Sequence, residues 1–464
     1  RIIVTGTAVS ADTSVIKALR KLRMPQTQRN RELGLLLFAF VINAAALALV
    51  QLGKNGAIDS SFLIYCAVLD ALALAIHVVL RLRARDADPF VVPIATLLSG
   101  IGIAMIYRID LEGTSAGWDM LAVRQIVWCA IALVAALIVV IALRNYRVLF
   151  RYTYVFGFAG IALLLLPFVP GLGVEAGADV WVSIGGIVSF QPGELAKIAL
   201  AIFFAGYLVR TRESLTSVGT RFLGVTWPRA RELGPVLVIW AISLGIIVLQ
   251  RDLGTGTLIF GMFIAMLYVA TGKTSWVMIG LSLVLAGVIL ASQVLPYVNG
   301  RFQNWLNPFD PNNVDAAGGS FQLINGLYGL AKGGFIGTGL GQGRPWMTPL
   351  SQSDYIFPSL GEELGLIGVF ALLCLYMVFT SRGVRIGLAG QDDFGKLLAT
   401  GLSFTIALQV FIMVGGVTRV IPLTGLTTPF LAAGGSSLVA NWIIVALLLR
   451  ISDAVRSRPR VVIG

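Results

Sequence analysis

The chain has 464 residues, 57% of them apolar and 12% charged, about half the charged share of a soluble globular protein, with a net charge of +12. That balance excludes a surface that faces water all round. The single histidine, His77, and the three cysteines, Cys66, Cys129 and Cys374, all sit in apolar runs, which excludes His-based zinc sites, His-ligated haem, a Ser-His-Asp triad and a disulfide framework. Any catalysis must use carboxylates, Lys, Arg or hydroxyls.

Residues 1–33 are polar, with scattered Lys and Arg and no short apolar segment followed by a small-residue cleavage site, so they read as a cytoplasmic tail. Apolar runs follow near 34–52, 61–80, 90–107, 120–143, 152–169, 195–209, 232–249, 253–272, 276–297, 356–380, 396–416 and 429–449. Each is of the order needed to cross a hydrocarbon layer about 30 Å thick. The expected fold is an all-α polytopic membrane protein of about twelve transmembrane helices. Residues 34–80 form two extra N-terminal helices, residues 90–450 a ten-helix core, and residues 451–464 a second cytoplasmic tail.

The charge divides by side. Segments on the side of residue 1 hold 26 Lys or Arg, the opposite side holds seven, and two, Arg124 and Lys197, fall within runs. The positive-inside rule then makes both termini cytoplasmic. The basicity is topological, and a nucleic-acid partner is not expected because no soluble basic module is long enough to fold alone. The longest connection, with extracytoplasmic residues 298–355, is rich in Gly, Pro, Asn and Asp yet contains Trp305, Phe309, Phe321, Leu327, Phe335 and Trp346. Such a loop is too apolar for a solvated linker and is expected to pack on the membrane face with short helices.

Ionisable groups within runs are costly, and each is a functional hypothesis. They are Asp70, Arg124, Glu194, Lys197, Asp252, Glu362 and Glu363. Glu194 and Lys197 are three apart on one helix face and are expected to pair, either as a structural tie or as a cation facing phosphate. Asp252 sits in a tight outer turn before Gly254, Thr255 and Gly256, where helix N-terminal amides are open to an anion. Asp70 and His77 are expected to be satisfied by neighbouring helices, and Glu362 and Glu363 to be polar contacts of the bundle. Gly272-Lys273-Thr274-Ser275 imitates the end of a phosphate-binding loop, but Leu267 stands where the first glycine belongs, so no nucleotide is expected.

Several stretches are distinctive: Trp181-Val182-Ser183-Ile184-Gly185-Gly186, Phe190-Gln191-Pro192-Gly193-Glu194-Leu195-Ala196-Lys197, Asp252-Leu253-Gly254-Thr255, and Arg301 with Pro308. Others are Phe321-Gln322-Leu323-Ile324-Asn325-Gly326, the glycine-rich run 333–341, Ser353-Asp354-Tyr355-Ile356-Phe357, and Pro422-Leu423-Thr424-Gly425-Leu426 through to Ser437. In these the chain resembles the SEDS family (shape, elongation, division and sporulation), its RodA-like branch more than its FtsW-like one. Val180, Gly193 and Ala432-Ala433 depart from the family's pattern, so no role is carried to them.

The resemblance implies a peptidoglycan glycosyltransferase that polymerises lipid II at the outer face of the membrane for cell elongation and shape, extending a nascent glycan strand and releasing undecaprenyl pyrophosphate. It also implies a class B penicillin-binding protein as transpeptidase partner. Because pyrophosphate leaves as an anion, one proton transfer remains, from the acceptor hydroxyl, and one carboxylate suffices. The resemblance points to Asp354; on position alone, a helix N-cap before Tyr355-Ile356-Phe357 competes equally. Arg251, Arg301, Lys332, Arg344 and Lys197 are the candidate pyrophosphate cations, and Trp181, Gln191 and Gln322 are further candidates for the pyrophosphate or the sugars. A Mg²⁺ or Mn²⁺ ion is a further candidate for meeting the pyrophosphate, and no haem or zinc is expected. The rival reading is a lipid II flippase, supported by the intramembrane charges but not by any inverted repeat between residues 34–249 and 253–449.

Overall fold

Inside hydrocarbon a chain must satisfy every backbone N–H and C=O within itself, and the apolar runs accordingly become helices. In a computed structural model, residues 27–113, 117–173, 180–184, 188–215, 221–222, 225–226, 233–316 and 318–457 are described. The principal helices are α1 (Thr27–Asn55), α2 (Ser60–Arg83), α3 (Val91–Asp110), α4 (Leu121–Ala142), α5 (Thr153–Leu165), α6 (Pro192–Leu215) and α7 (Leu233–Gln250). They continue with α8 (Leu253–Thr271), α9 (Thr274–Val294), α10 (Pro296–Leu306), α11 (Phe321–Gly333), α12 (Ile356–Ala389), α13 (Asp393–Val417) and α14 (Gly435–Arg456). Among the described residues, 11 helices are long and apolar enough to cross a membrane. The run expected at 152–169 is the shorter apolar helix Thr153–Phe168, α5 and its 3-10 extension, about 24 Å of rise. A small hairpin, β1 (Val182–Ile184) with β2 (Val188–Phe190), sits between α5 and α6, Ser183 facing Ser189.

The helices α3, α6, α8, α13 and α14 are mostly enclosed, whereas α1, α2, α7 and α9 turn large apolar side chains such as Phe38, Ile64, Val238 and Leu281 outward. A helix apolar on all sides is what lipid contact requires on its outer face and packing on its inner one. The pair α1 and α2 lies over α3 and α4.

Three features differ from the sequence reading. First, the expected tail boundary at residue 33 moves, because α1 starts at Thr27: Arg29 and Glu32 are buried, Arg29 donating to the Ala87 carbonyl and Glu32 lying 2.7 Å from His77 Nδ1. Arg81 Nε donates to His77 Nε2 at 2.9 Å, so His77 is satisfied as expected. Asp70 is not: it has no hydrogen-bonding or ion-pairing partner among the described residues. Second, α14 extends past the expected tail boundary at 451 to Arg456, which pairs with buried Asp88 at 2.5 Å; residues 1–26 and 458–464 lie outside the described residues. Third, Arg124 falls within the candidate span Leu121–Ala142 but at its edge. It is exposed in the first turn of α4 and donates to the Asp119 carbonyl at 3.4 Å.

The helix α12 is broken. Gly365 has φ 69 and ψ −176, which ends the first segment at Leu364. The freed groups are taken by the long loop before it: Thr338 N donates to Glu362 O (3.0 Å), Gly339 N to Glu363 O (3.0 Å), and Leu366 N to Gly334 O (2.9 Å). A Cβ on Gly337, whose φ is +90, would lie 2.6 Å from Gly365 N. The glycine-rich run therefore serves close backbone docking onto a broken helix, the arrangement in which irregular backbone is tolerated at membrane depth.

Candidate active site at one end of the bundle

Asp354 closes a turn just before α12. Ser353 N and Tyr355 N both donate to Leu350 O, at 3.0 and 3.2 Å, and Leu350 takes the left-handed φ of 55 that lets one carbonyl serve both. Beneath the turn, Tyr355, Ile356 and Phe357 are buried. The N-cap of α12 is Tyr355, with no side-chain cap, so the cap alternative for Asp354 falls away. Its carboxylate is half-buried and has no hydrogen-bond partner among the described residues. Burial pushes its pKa up to about 6, against the pull of the Arg301 guanidinium and with a further push from the Asp252 carboxylate.

Arg301 comes from α10, one helical segment into the long loop, and donates through Nη1 to Leu423 O at 3.1 Å. Asp252 caps α8: its carboxylate accepts from Thr255 N (3.0 Å) and Thr255 Oγ1 (2.6 Å), so the helix terminus expected to face an anion is partly occupied by its own chain. Burial raises the Asp252 pKa, opposed by the Thr255 hydrogen bonds and Arg301. Three distant segments thus bring Asp354, Arg301 and Asp252 into electrostatic reach of one another.

The segment 418–434 joins this cluster to the intramembrane pair. Lys197 Nζ lies 2.5 Å from Glu194 Oε2 and donates to Gln409 Oε1 (3.0 Å) and Asn441 Oδ1 (3.4 Å). Gln409 Nε2 donates to Thr427 O (2.8 Å), and Thr427 Oγ1 lies 3.5 Å from Glu194 Oε1 and 2.9 Å from Ser437 Oγ. The non-glycine residues with left-handed φ among the described residues are Arg251, Leu350, Arg419 and Phe430, all in the turns bordering this region. Strain of that kind persists where surrounding structure over-determines it and concentrates at functional sites.

The other sequence candidates disperse. Arg251 and Arg344 are exposed, and Lys332, also exposed, is paired with Glu362 at 2.7 Å. Trp181 is half-buried before β1, and Gln322 half-buried on α11. Gln191 binds Ser436 Oγ through its backbone N at 3.1 Å. Glu362 also accepts from Arg344 N (2.8 Å), and Glu363 from Gly341 N (2.9 Å), Gly343 N (3.2 Å) and Arg108 Nε (3.1 Å). The two glutamates are thus bundle contacts that anchor the loop. Arg108, counted in the sequence only as an outer-side cation, is almost fully buried and stacks on Trp346 at 4.9 Å. Its position at the very end of an apolar run, four residues before Glu112, was the available signal.

Known proteins agree with this architecture. A family model described as "Cell cycle protein", covering FtsW, RodA and SpoVE, matches residues 89–457, from just before α3 to the end of α14. The chain is similar to "Peptidoglycan glycosyltransferase RodA" of Mycobacterium tuberculosis, 43% identical over 442 residues, 94% of this chain and 93% of the relative. It is 35% identical to "Stage V sporulation protein E" of Bacillus subtilis, over 80% of this chain and 98% of that one. Its fold matches, at TM-score 0.61 and 23% identity, a chain from a structure described as "Structural coordination of polymerization and crosslinking by a peptidoglycan synthase complex", covering 80% of this chain and 99% of that one. This multi-pass bacterial membrane protein belongs to the FtsW/RodA/SpoVE family of cell cycle proteins.

Proposed function

We propose that the chain is a peptidoglycan glycosyltransferase that polymerises lipid II at the outer face of the cytoplasmic membrane, both termini facing the cytoplasm. The observation that carries the mechanism is the unpartnered, half-buried carboxylate of Asp354, whose pKa is raised to about 6, beside Arg301. A base is most effective when its pKa lies near the working pH while it remains mostly ionised. The acceptor sugar hydroxyl gives its proton to Asp354 as its oxygen attacks the anomeric carbon of the donor. The bond from that carbon to the pyrophosphate oxygen breaks, and pyrophosphate leaves with the electron pair, so no acid is needed. Arg301 is the cation placed to meet charge arriving at this level, with Lys197 deeper on the same polar chain.

The described residues contain no group of three or more His, Cys, Asp or Glu able to hold a metal ion, and Asp252 is committed to Thr255. A Mg²⁺ or Mn²⁺ ion, when bound, would supply charge neutralisation at the pyrophosphate. Cross-linking falls to a separate transpeptidase, for which a class B penicillin-binding protein is the expected partner; the fold match to a chain from a polymerising and cross-linking complex supports that reading. In detergent micelles, where no leaflets exist, the chain with its partner should convert lipid II to glycan polymer, and Asp354→Asn should lose product while staying folded. Polymer formed at the original rate by that variant removes Asp354 as the base, and vesicle flipping without polymerisation supports the flippase.

A further inference from the structure

The N-terminal helix pair encloses, against the core, a cavity of about 220 Å³ that glycosyl transfer does not use. Its walls come from α1, α2, α3, α4 and α14 and are largely apolar, but five polar groups line it without finding partners. Asn43 spends Nδ2 on the Thr96 carbonyl at 3.1 Å, leaving Oδ1 buried and unpaired. Thr96 and Ser99, 8% and 4% exposed, have unpaired hydroxyls, and the indole N–H of Trp442 is unpaired as well. Helical hydroxyls ordinarily donate to a carbonyl one turn back, as Ser403 and Thr405 do here. Asp70 adds a carboxylate with no partner among the described residues.

Asp70, Ser99 and Asn43 lie near the middle of their helices, at a depth that neither water nor lipid head groups normally reach. Acceptors outnumber donors among the five, so the complementary group is donor-rich and positively charged. The volume is far beyond that of a bare ion, since a cavity of about 150 Å³ already holds a benzene ring. Ala44 on α1 and Ala67 on α2 are small, exposed and part of the lining, which leaves the mouth open sideways to lipid.

We propose that this cavity binds a lipid-soluble primary amine, an apolar body bearing one ammonium group, which enters from the bilayer between α1 and α2 and is held at Asp70. The test uses the full chain in detergent, with 4-phenylbutylamine as probe and 4-phenylbutanol as its neutral counterpart, reading dissociation constants from dose-dependent thermal shifts. The amine should bind saturably and at least tenfold tighter than the alcohol. Asp70→Asn should erase that preference, and Ala67→Phe, at an exposed position, should abolish binding of both without moving the melt of the free protein. Equal binding of amine and alcohol, a preference kept by Asp70→Asn, or unchanged binding by Ala67→Phe overturns the proposal. Stabilisation by Na⁺ alone that matches the amine overturns it in favour of an ion site.

Discussion

Arg301 and Asp252 act on Asp354 with opposite sign, and this makes the assignment of the base testable without removing it. The Asp354 carboxyl titrates at about 6, with Arg301 lowering and Asp252 raising that value. A neighbouring opposite charge moves a carboxyl by roughly 1 to 3 units, and about 1 is appropriate for a half-buried, screened pair. Arg301→Gln should then move the acid limb of kcat/KM from about 6 to about 7, so that at pH 6.5 the ionised fraction falls from about three quarters to about one quarter. Asp252→Asn should move the limb toward about 5, raising the fraction at pH 5.5 from about one quarter to about three quarters. Asn still caps a helix, so α8 keeps its N-terminus. Initial rates of lipid II polymerisation between pH 5 and pH 8.5 give the profiles, and comparing variants on one substrate cancels any titration of the substrate itself. Limbs that move in the same direction, or stay where they were, refute the reasoning.

Asp354→Asn should stabilise the fold at neutral pH even as it stops the reaction. The folded carboxyl titrates at about 6 against the ordinary 3.8, so its ionisation opposes folding above the folded value and not below the ordinary one. A rise in melting temperature at pH 7.5 worth about 1 to 2 kcal/mol after screening, vanishing at pH 3.5, is the expected calorimetric result. Glu363→Gln removes one of the two acids on buried Arg108, which keeps Glu112 at 2.8 Å and the Gly343 carbonyl at 2.9 Å, and should cost about 1 to 3 kcal/mol; limited proteolysis should show earlier cleavage within 335–344. Gly337→Ala forces a Cβ onto the backbone of Gly365 at a left-handed φ, and a fall in thermal stability together with faster hydrogen exchange at Thr338 and Gly339 should follow.

The bundle was legible in the sequence because hydrocarbon imposes one rule on every span, and the Glu194–Lys197 pair because spacing on a helix fixes its geometry. The alternatives at Asp354 were not separable there: whether an acid before a helix caps it depends on the local turn, here set by the Leu350 carbonyl. The glycines of 333–341 mark a close approach without naming its partner. Its true object, the backbone freed at Gly365, is remote in the chain and carries no side-chain pattern. Arg108 was hidden because a cation paired with Glu112 at the end of a span reads as topology until its second acid, Glu363, 255 positions away, is seen beside it.

The joint at Gly365 has a mechanical consequence. The nine residues from Ile356 to Leu364, with the carboxylate of Asp354 at their tip, are hinged to the spanning rod by one glycine and clamped to Gly333–Gly339. Phe335 and Ile336, in the middle of that clamp, are 74% and 81% exposed, the usual condition of a side chain seated in acyl chains. Lateral pressure from the surrounding lipid, or from a neighbouring helix leaning on those two side chains, should therefore reach Asp354 along a short lever, so that its placement is expected to respond to bilayer composition.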